Sequence, residues 1–343
     1  MARSARLLAG AVLAGAAIAF AFTVVLLAAL HAPSPHHLPV GVAAPADLTA
    51  RISAGTEERA AGALDIRPYA DPAAAEQDVR DGDLAGAFVV GPDGPQLLVA
   101  GARGRPTRDV VEAAFTPLAA SGQQLTVRDL VPLPSYDRAG VTSFFAVVGL
   151  LVPSFAAAAL LGREVRQIPV PALLGGLLVA AAAIGGTAAW VVDGLLGAMP
   201  GHPWQLAGLA ALTSFGVAGS ALAVTRVIGP AGIPLAGIGL LLLGIPATGG
   251  PAGPDFLPKF FHWLSVWHPA GAAGRAVRDV AYFGSHGVGS AITVLAGWAA
   301  AALVVIVATA PRTLRAARNG SDVLGPQELA EVRHRERDEA ALG

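Results

Sequence analysis

The chain has no cysteine, a single lysine and few charges of either sign: only 14% of its 343 residues are Asp, Glu, Lys or Arg. Without cysteine there are no disulfide frameworks, iron–sulfur clusters, thiolate zinc sites or cysteine nucleophiles. The net charge of −1 lacks the basic excess that a phosphate-reading surface needs, which argues against nucleic acid as a partner. The one lysine, Lys259, stands in no G-x-x-x-x-G-K-[ST] sequence, so this chain holds no P-loop. A G-x-S-x-G nucleophile elbow is also missing. No catalytic residue, cofactor or metal set is therefore expected. His31, His36 and His37 gather in HAPSPHH, but two adjacent histidines and a third five residues earlier, in a Pro-rich linker, make a poor ligand set.

What the chain does have is apolar sequence. Hydrophobic residues make up 54% and the mean hydropathy is +0.59. A soluble domain carries about 25% charged residues, so the deficit points to a membrane protein. A helix needs about 20 apolar residues to cross the hydrocarbon core. Six stretches qualify: Leu7–Leu30, Val141–Leu161, Ala172–Val192, Leu206–Thr225, Ile233–Thr248 and Gly289–Ala310. The first exceeds the apolar core of a signal peptide and reads as an uncleaved span. The fifth is short and rich in Gly and Pro, which predicts a kink or tilt. The expected fold class is an α-helical polytopic membrane protein, with six transmembrane helices and a small α/β extracytoplasmic domain between helices 1 and 2. The divisions are a first span in 1–30, the extracytoplasmic domain in 31–140, spans two to six in 141–310 with an outer interfacial segment at 250–288, and a cytoplasmic tail in 311–343.

Orientation follows from basic residues in short loops. Arg3, Arg6, Arg163, Arg166, Arg226, Arg312, Arg315 and Arg318 fall on one side if both termini are cytoplasmic, whereas Asp193–Gln205 holds no Lys or Arg. Lys259, Arg275 and Arg278 run against this pattern. Within 38–134, apolar runs alternate with helical ones. Strands are expected at Leu38–Ala44, Leu64–Ala70, Leu84–Val90 and in QLLVAG and LTVRDLVPL. Helices are expected to Gly62, from Asp71 and Pro72 through Val79, and from a Thr107 cap to Ala120. GPDG supplies a hairpin turn, and the whole suits a mixed sheet of about 100 residues.

One span, an α/β ectodomain and five further spans form a layout that resembles the ABC-2 type transporter permeases, in particular the YhgE/Pip-like group. The resemblance rests on LPVGVAA (Leu38–Ala44) directly after the first span, on YADPAAAEQDVRDGDLAGAFVV (Tyr69–Val90), and on LPKFFHWLSVWHPAGAAGRAVRDVAYFG (Leu257–Gly284) before the last. The chain departs from the group in its short ectodomain and in lacking an amphipathic connecting helix before the first span. The resemblance implies a permease subunit in a bacterial plasma membrane, energised by a separate P-loop ATPase and paired with a second permease, most simply itself. It also implies that Arg163, Glu164 and Arg166, in the first loop of the basic side, form the element that docks on the ATPase. The competing reading makes the arginines headgroup anchors.

The outer segment offers the other candidate. Phe256, Phe260, Phe261, Leu264 and Trp267 fall on one helical face, with Trp263 close by, and a second short helix over about Gly271–Tyr282 puts Arg275 and Arg278 on one side. This segment reads as an interfacial anchor in the outer leaflet or as a re-entrant hairpin that touches lipid-like cargo. The spans hold almost no ionisable group, with Glu164, Asp193 and Arg226 at their ends. That argues against the proton relay of an RND-type exporter half. A non-transport envelope protein whose ectodomain binds a partner is the remaining alternative.

Overall fold

The computed structural model describes residues 2–91, 94–119, 125–199 and 201–310. The tail expected at 311–343 and the hairpin tip at Pro92 and Asp93 lie outside the described residues.

Five helices are long and apolar enough to cross a membrane. They are α1 (Ala2–Leu30), α5 (Thr142–Gly162), α6 (Val170–Ala189, continued by a π turn over Trp190–Leu195), α7 (Pro203–Ile228) and α12 (Val288–Ala308). The protein is mostly helical and polytopic by this measure. α7 is the axis: 67% of its apolar window is buried, against 28% for α5 and α6, 22% for α12 and none for α1. Small residues bring neighbours close to it, as bundles in lipid require. At Gly185 a Cβ would lie 2.5 Å from the Ala211 nitrogen, so α6 and α7 meet backbone to backbone.

The expected fifth span differs. Gly232–Ala247 is broken into α8 (Gly232–Gly237), a π turn (Ile238–Leu242) and α9 (Gly244–Ala247). Pro234 and Pro246 each stand in the first turn of a piece, where a missing N–H costs nothing. Sixteen helical residues rise only about 24 Å, yet the stretch still runs from the end of α7, where Gly232 abuts Thr225, to the end of α1, where Gly250 abuts Leu30, so the chain changes ends of the bundle here through a broken helix. Two further short helices follow, α10 (Lys259–Trp267) and α11 (Pro269–Tyr282), which form a hairpin. α11 packs among α5, α7, α9 and α12. Its residues from Pro269 to Gly274, with Ala276, Val277 and Val280, are buried, and their small side chains let it wedge between longer helices.

Between α1 and α5 lies a five-stranded mixed sheet of order β2-β1-β3-β4-β5. The strands are β1 (Leu38–Ala43), β2 (Leu64–Pro68), β3 (Gly86–Gly91), β4 (Gly94–Val99) and β5 (Thr126–Asp129). Only β3–β4 is antiparallel. The crossovers carry α2 (Ala46–Arg59), α3 (Pro72–Asp81) and α4 (Arg105–Ala119). Right-handed crossovers decide the faces. The step from β1 to β2 runs opposite to the step from β2 to β3, so α2 and α3 take opposite faces. β4 and β5 point the other way, which returns α4 to the face of α2. Two cores result. Ile52, Val111 and Phe115 cover one face, where Phe88 stacks on Phe115 at 5.4 Å. Ala75 and Val79 cover the other.

Asp71 caps α3, its carboxylate accepting from the Ala73 nitrogen at 3.0 Å, and Gly82 ends the helix at φ 84°. Thr107 is not a cap: α4 starts at Arg105, and the buried hydroxyl turns back to the Arg103 carbonyl.

Candidate functional site

Three places concentrate polar and aromatic chemistry. The first is the turn between α5 and α6, at the end of the bundle opposite the sheet. Residues 163–168 form successive turns rather than a helix. Val165 is buried in the bundle core and holds the turn down. Arg226, at the end of α7, is 3% exposed; its Nη1 donates to the Val165 carbonyl at 2.6 Å and its Nε to Thr309 Oγ1 at 3.1 Å. Arg166 reaches the other way and donates to the carbonyls of Arg226 and Val227, both at 3.1 Å. Those carbonyls belong to the open last turn of α7, where a cation is favoured. The turn, the end of α7 and the end of α12 are therefore cross-tied. Of the three residues expected to act together, Arg166 is taken up by this clamp, while Arg163 and Glu164 are exposed beside it.

The second place is the α10–α11 hairpin. Phe260, Trp263 and Trp267 are 56%, 58% and 60% exposed and form its outward face. Phe261 does not share it: it turns inward, 9% exposed, beside Leu257 and Ala29 of α1. Phe256 is not on the helix at all; it lies in a 3-10 turn and is buried in the α2/α4 face of the sheet domain. An i, i+4 helical stripe drawn from the sequence fails here because Pro258 starts α10 only after Phe256. His268 is buried at the bend. Its Nδ1 accepts from the Ala270 nitrogen at 3.1 Å and caps α11, and its Nε2 meets the Gly239 carbonyl in the π turn at 3.0 Å. The pair of partners assigns a neutral imidazole protonated at Nε2. Arg275 donates to the carbonyls of Ser265 and Val266 and closes the end of α10.

The third place is the seam between the hairpin and the sheet domain, and nothing local in the sequence announces it. Phe256 enters one core of the sheet domain and Phe283 the other, so the hairpin segment grips both faces. Arg103 Nη2 pairs with Asp255 at 2.7 Å across 152 residues, and its Nη1 donates to the Gly82 carbonyl. The Tyr282 hydroxyl donates to Asp137 Oδ2 at 2.8 Å, while Oδ1 of the same carboxylate caps α5 through the Val141 nitrogen at 3.0 Å. Burial pushes the Tyr282 phenol up, and the bond to Asp137 adds to this. A cavity of about 180 Å³ lies in the seam, lined by Arg103, Asp255, Arg275, Arg278 and Asp279. Burial raises the Asp279 carboxyl to about 6, against the lowering effect of Arg278, Arg275 and Arg103.

An apolar groove of about 660 Å³ separates α5 from α6, lined by Phe145, Gly149 and Pro153 on one side and Ile184, Thr187 and Val191 on the other. Its volume falls within the roughly 300–1,000 Å³ of small-ligand sites. The histidines at 31, 36 and 37 form no metal cluster, and no group of three ligating side chains occurs among the described residues. No family model, curated protein or solved structure matches the chain.

Proposed function

We propose that the chain is the membrane-spanning permease subunit of an ATP-driven exporter of the ABC-2 type, similar to the YhgE/Pip-like group. In this reading a separate P-loop ATPase supplies the energy and two permease copies pair across the bundle. The cargo is lipid-like or amphiphilic. Residues 31–140 face outward from a bacterial plasma membrane and both termini face the cytoplasm.

The observation that carries the reading is the clamp around Arg226. A subunit driven from outside needs a surface where force enters and a stiff path along which it travels. Arg163 and Glu164 offer exposed charges on a turn bonded to the ends of α7 and α12. α7 and α12 in turn pack against α11, whose far end meets the sheet domain. A push on the turn has a contiguous route to the hairpin. The groove between α5 and α6 gives an amphiphile an apolar berth along this route. Two of the three basic residues that run against the charge rule are folded in, while Lys259 stays exposed. Arg275 and Arg278 are half-buried in the hairpin and seam rather than displayed on a loop.

The cysteine-free sequence makes a direct test simple. Single-cysteine variants Arg67→Cys and Arg163→Cys, both at exposed positions, are treated on intact cells with a membrane-impermeant maleimide. Labelling of Arg67→Cys alone is expected, and labelling of Arg163→Cys alone overturns the orientation. For coupling, a span-free P-loop ATPase should co-purify with the chain and be stimulated by it in vesicles. The charge reversal Glu164→Arg should abolish stimulation while the permease still inserts; unchanged stimulation refutes the docking role.

A further inference from the structure

Among the described residues, one cation lining the seam cavity makes no hydrogen bond. Arg103 is engaged by Asp255 and the Gly82 carbonyl, and Arg275 by the Ser265 and Val266 carbonyls. Arg278 has no hydrogen-bond acceptor or ion-pair partner among the described residues, although it lines the same cavity and is half-buried. A guanidinium carries five donors, no acceptor, and a charge it does not give up. Leaving one partly out of water beside two others is costly unless something negative joins it.

We propose that the seam cavity binds a phosphate-class oxyanion, held by Arg278 and flanked by Arg103 and Arg275. Three considerations support this class. The guanidiniums arrive from two separated parts of the chain, the turn after β4 and the helix α11, and converge on one recess. A tetrahedral oxyanion presents three or four acceptor oxygens to such a set, and guanidinium forks match phosphate edges in pairs. The volume of about 180 Å³ admits such a group together with a few waters, each taking roughly 30 Å³. Burial and the neighbouring Arg103 act against the charge on Arg278 and outweigh the support it draws from Asp255, Asp279 and Tyr282, and burial and Arg278 act likewise against that on Arg275 despite Asp279. An added anion reverses this balance.

Two carboxylates share the cavity. Asp255 is already matched to Arg103. Asp279 is the competitor, since its ionised form would take the place of the ligand's charge. Its removal should therefore tighten binding, whereas removal of Arg278 should weaken it. The source of the phosphate is either free in solution or the headgroup of a lipid, because the exposed Phe260, Trp263 and Trp267 suit a membrane interface. The inference does not depend on the transport reading.

The test uses the purified full-length chain in detergent. One arm adds sodium phosphate, with sodium chloride at matched ionic strength as control, and follows thermal unfolding. The other adds dioleoylphosphatidylglycerol, with dioleoylglycerol as control, and counts retained molecules by native mass spectrometry. Binding in the first arm identifies free phosphate and in the second a lipid headgroup, and either supports the site only if the variants respond in opposite directions. Arg278→Gln should weaken binding by about tenfold and Asp279→Asn should strengthen it, with Arg163→Gln at the far end unchanged. Failure of both probes to bind overturns the proposal. So does binding that Arg278→Gln and Asp279→Asn leave unaltered, or binding that Arg163→Gln weakens equally. Should Arg278→Gln not fold, the gain expected in Asp279→Asn decides alone, and its absence overturns the site.

Discussion

Replacing Gly244 by alanine probes how firmly the bend of the hairpin is held. A Cβ at this position would sit 2.6 Å from Cε1 of His268. The imidazole would have to retreat by about 0.8 Å to reach the 3.4 Å of ordinary contact. It is not free to do so, because its two nitrogens bond the Gly239 carbonyl at 3.0 Å and the Ala270 nitrogen at 3.1 Å. Each net hydrogen bond contributes about 0.5–1.5 kcal/mol, and a buried group left unpaired costs about 1–3 kcal/mol. Gly244→Ala should therefore destabilise by about 2–3 kcal/mol. His268→Ala, which strands the carbonyl and uncaps α11, should cost about 2–4 kcal/mol. Once the ring is gone the added methyl meets no obstacle, so the double variant should be little worse than His268→Ala. The predicted coupling is about 2 kcal/mol, measured by denaturation in mixed micelles followed by far-UV circular dichroism. If the two costs simply add, to within about 0.5 kcal/mol, the ring is not pinned and the reasoning fails.

Two further perturbations test the packing and the seam. Gly185→Val should lose about 1–3 kcal/mol or more, because its side chain would drive into the backbone of Ala211, whereas Gly186→Val, with nothing within 4 Å, should be close to neutral; equal effects would refute the backbone contact of α6 with α7. The Asp279 carboxyl is raised from 3.8 to about 6, so the folded chain keeps a proton that the unfolded chain releases between those values. Its neutral form favours the fold fully below about pH 4, and that contribution declines as the pH rises to about 6 and is gone above it. Asp279→Asn should accordingly be more stable than the parent at pH 7.5 and lose part of the slope between pH 4 and 6, in a setting where Arg103, Arg275, Arg278 and His286 also face the carboxyl. A variant less stable at pH 7.5 would show that Asp279 ionises comfortably beside its arginines.

Much of the architecture was legible before any coordinates. Apolar length is a one-dimensional property, and so α1, α5, α6, α7 and α12 could be read from runs of Ala, Leu, Val and Gly. Period-two and turn signals work over a few residues, which is why the strands around LPVGVA and GAFVVG, the Asp71 cap and the Gly82 stop emerged close to their observed places. The break in Gly232–Ala247 was foreshadowed by its prolines and glycines. The tertiary structure alone decided which helix is the axis, since hydropathy cannot distinguish burial in protein from burial in lipid: α7 is less hydropathic than α1 yet far more enclosed. It also decided that Phe256 and Phe283 belong to the sheet domain rather than to a membrane face. Arg166 and Arg226, two basic residues of one kind to a charge count, became reciprocal clamps, and Arg278 came to line a cavity with Arg103 and Arg275. Those roles depend on which chain segments meet across as many as 152 positions. Composition and local spacing carry no record of such meetings, because they are set by how rigid elements pack once formed.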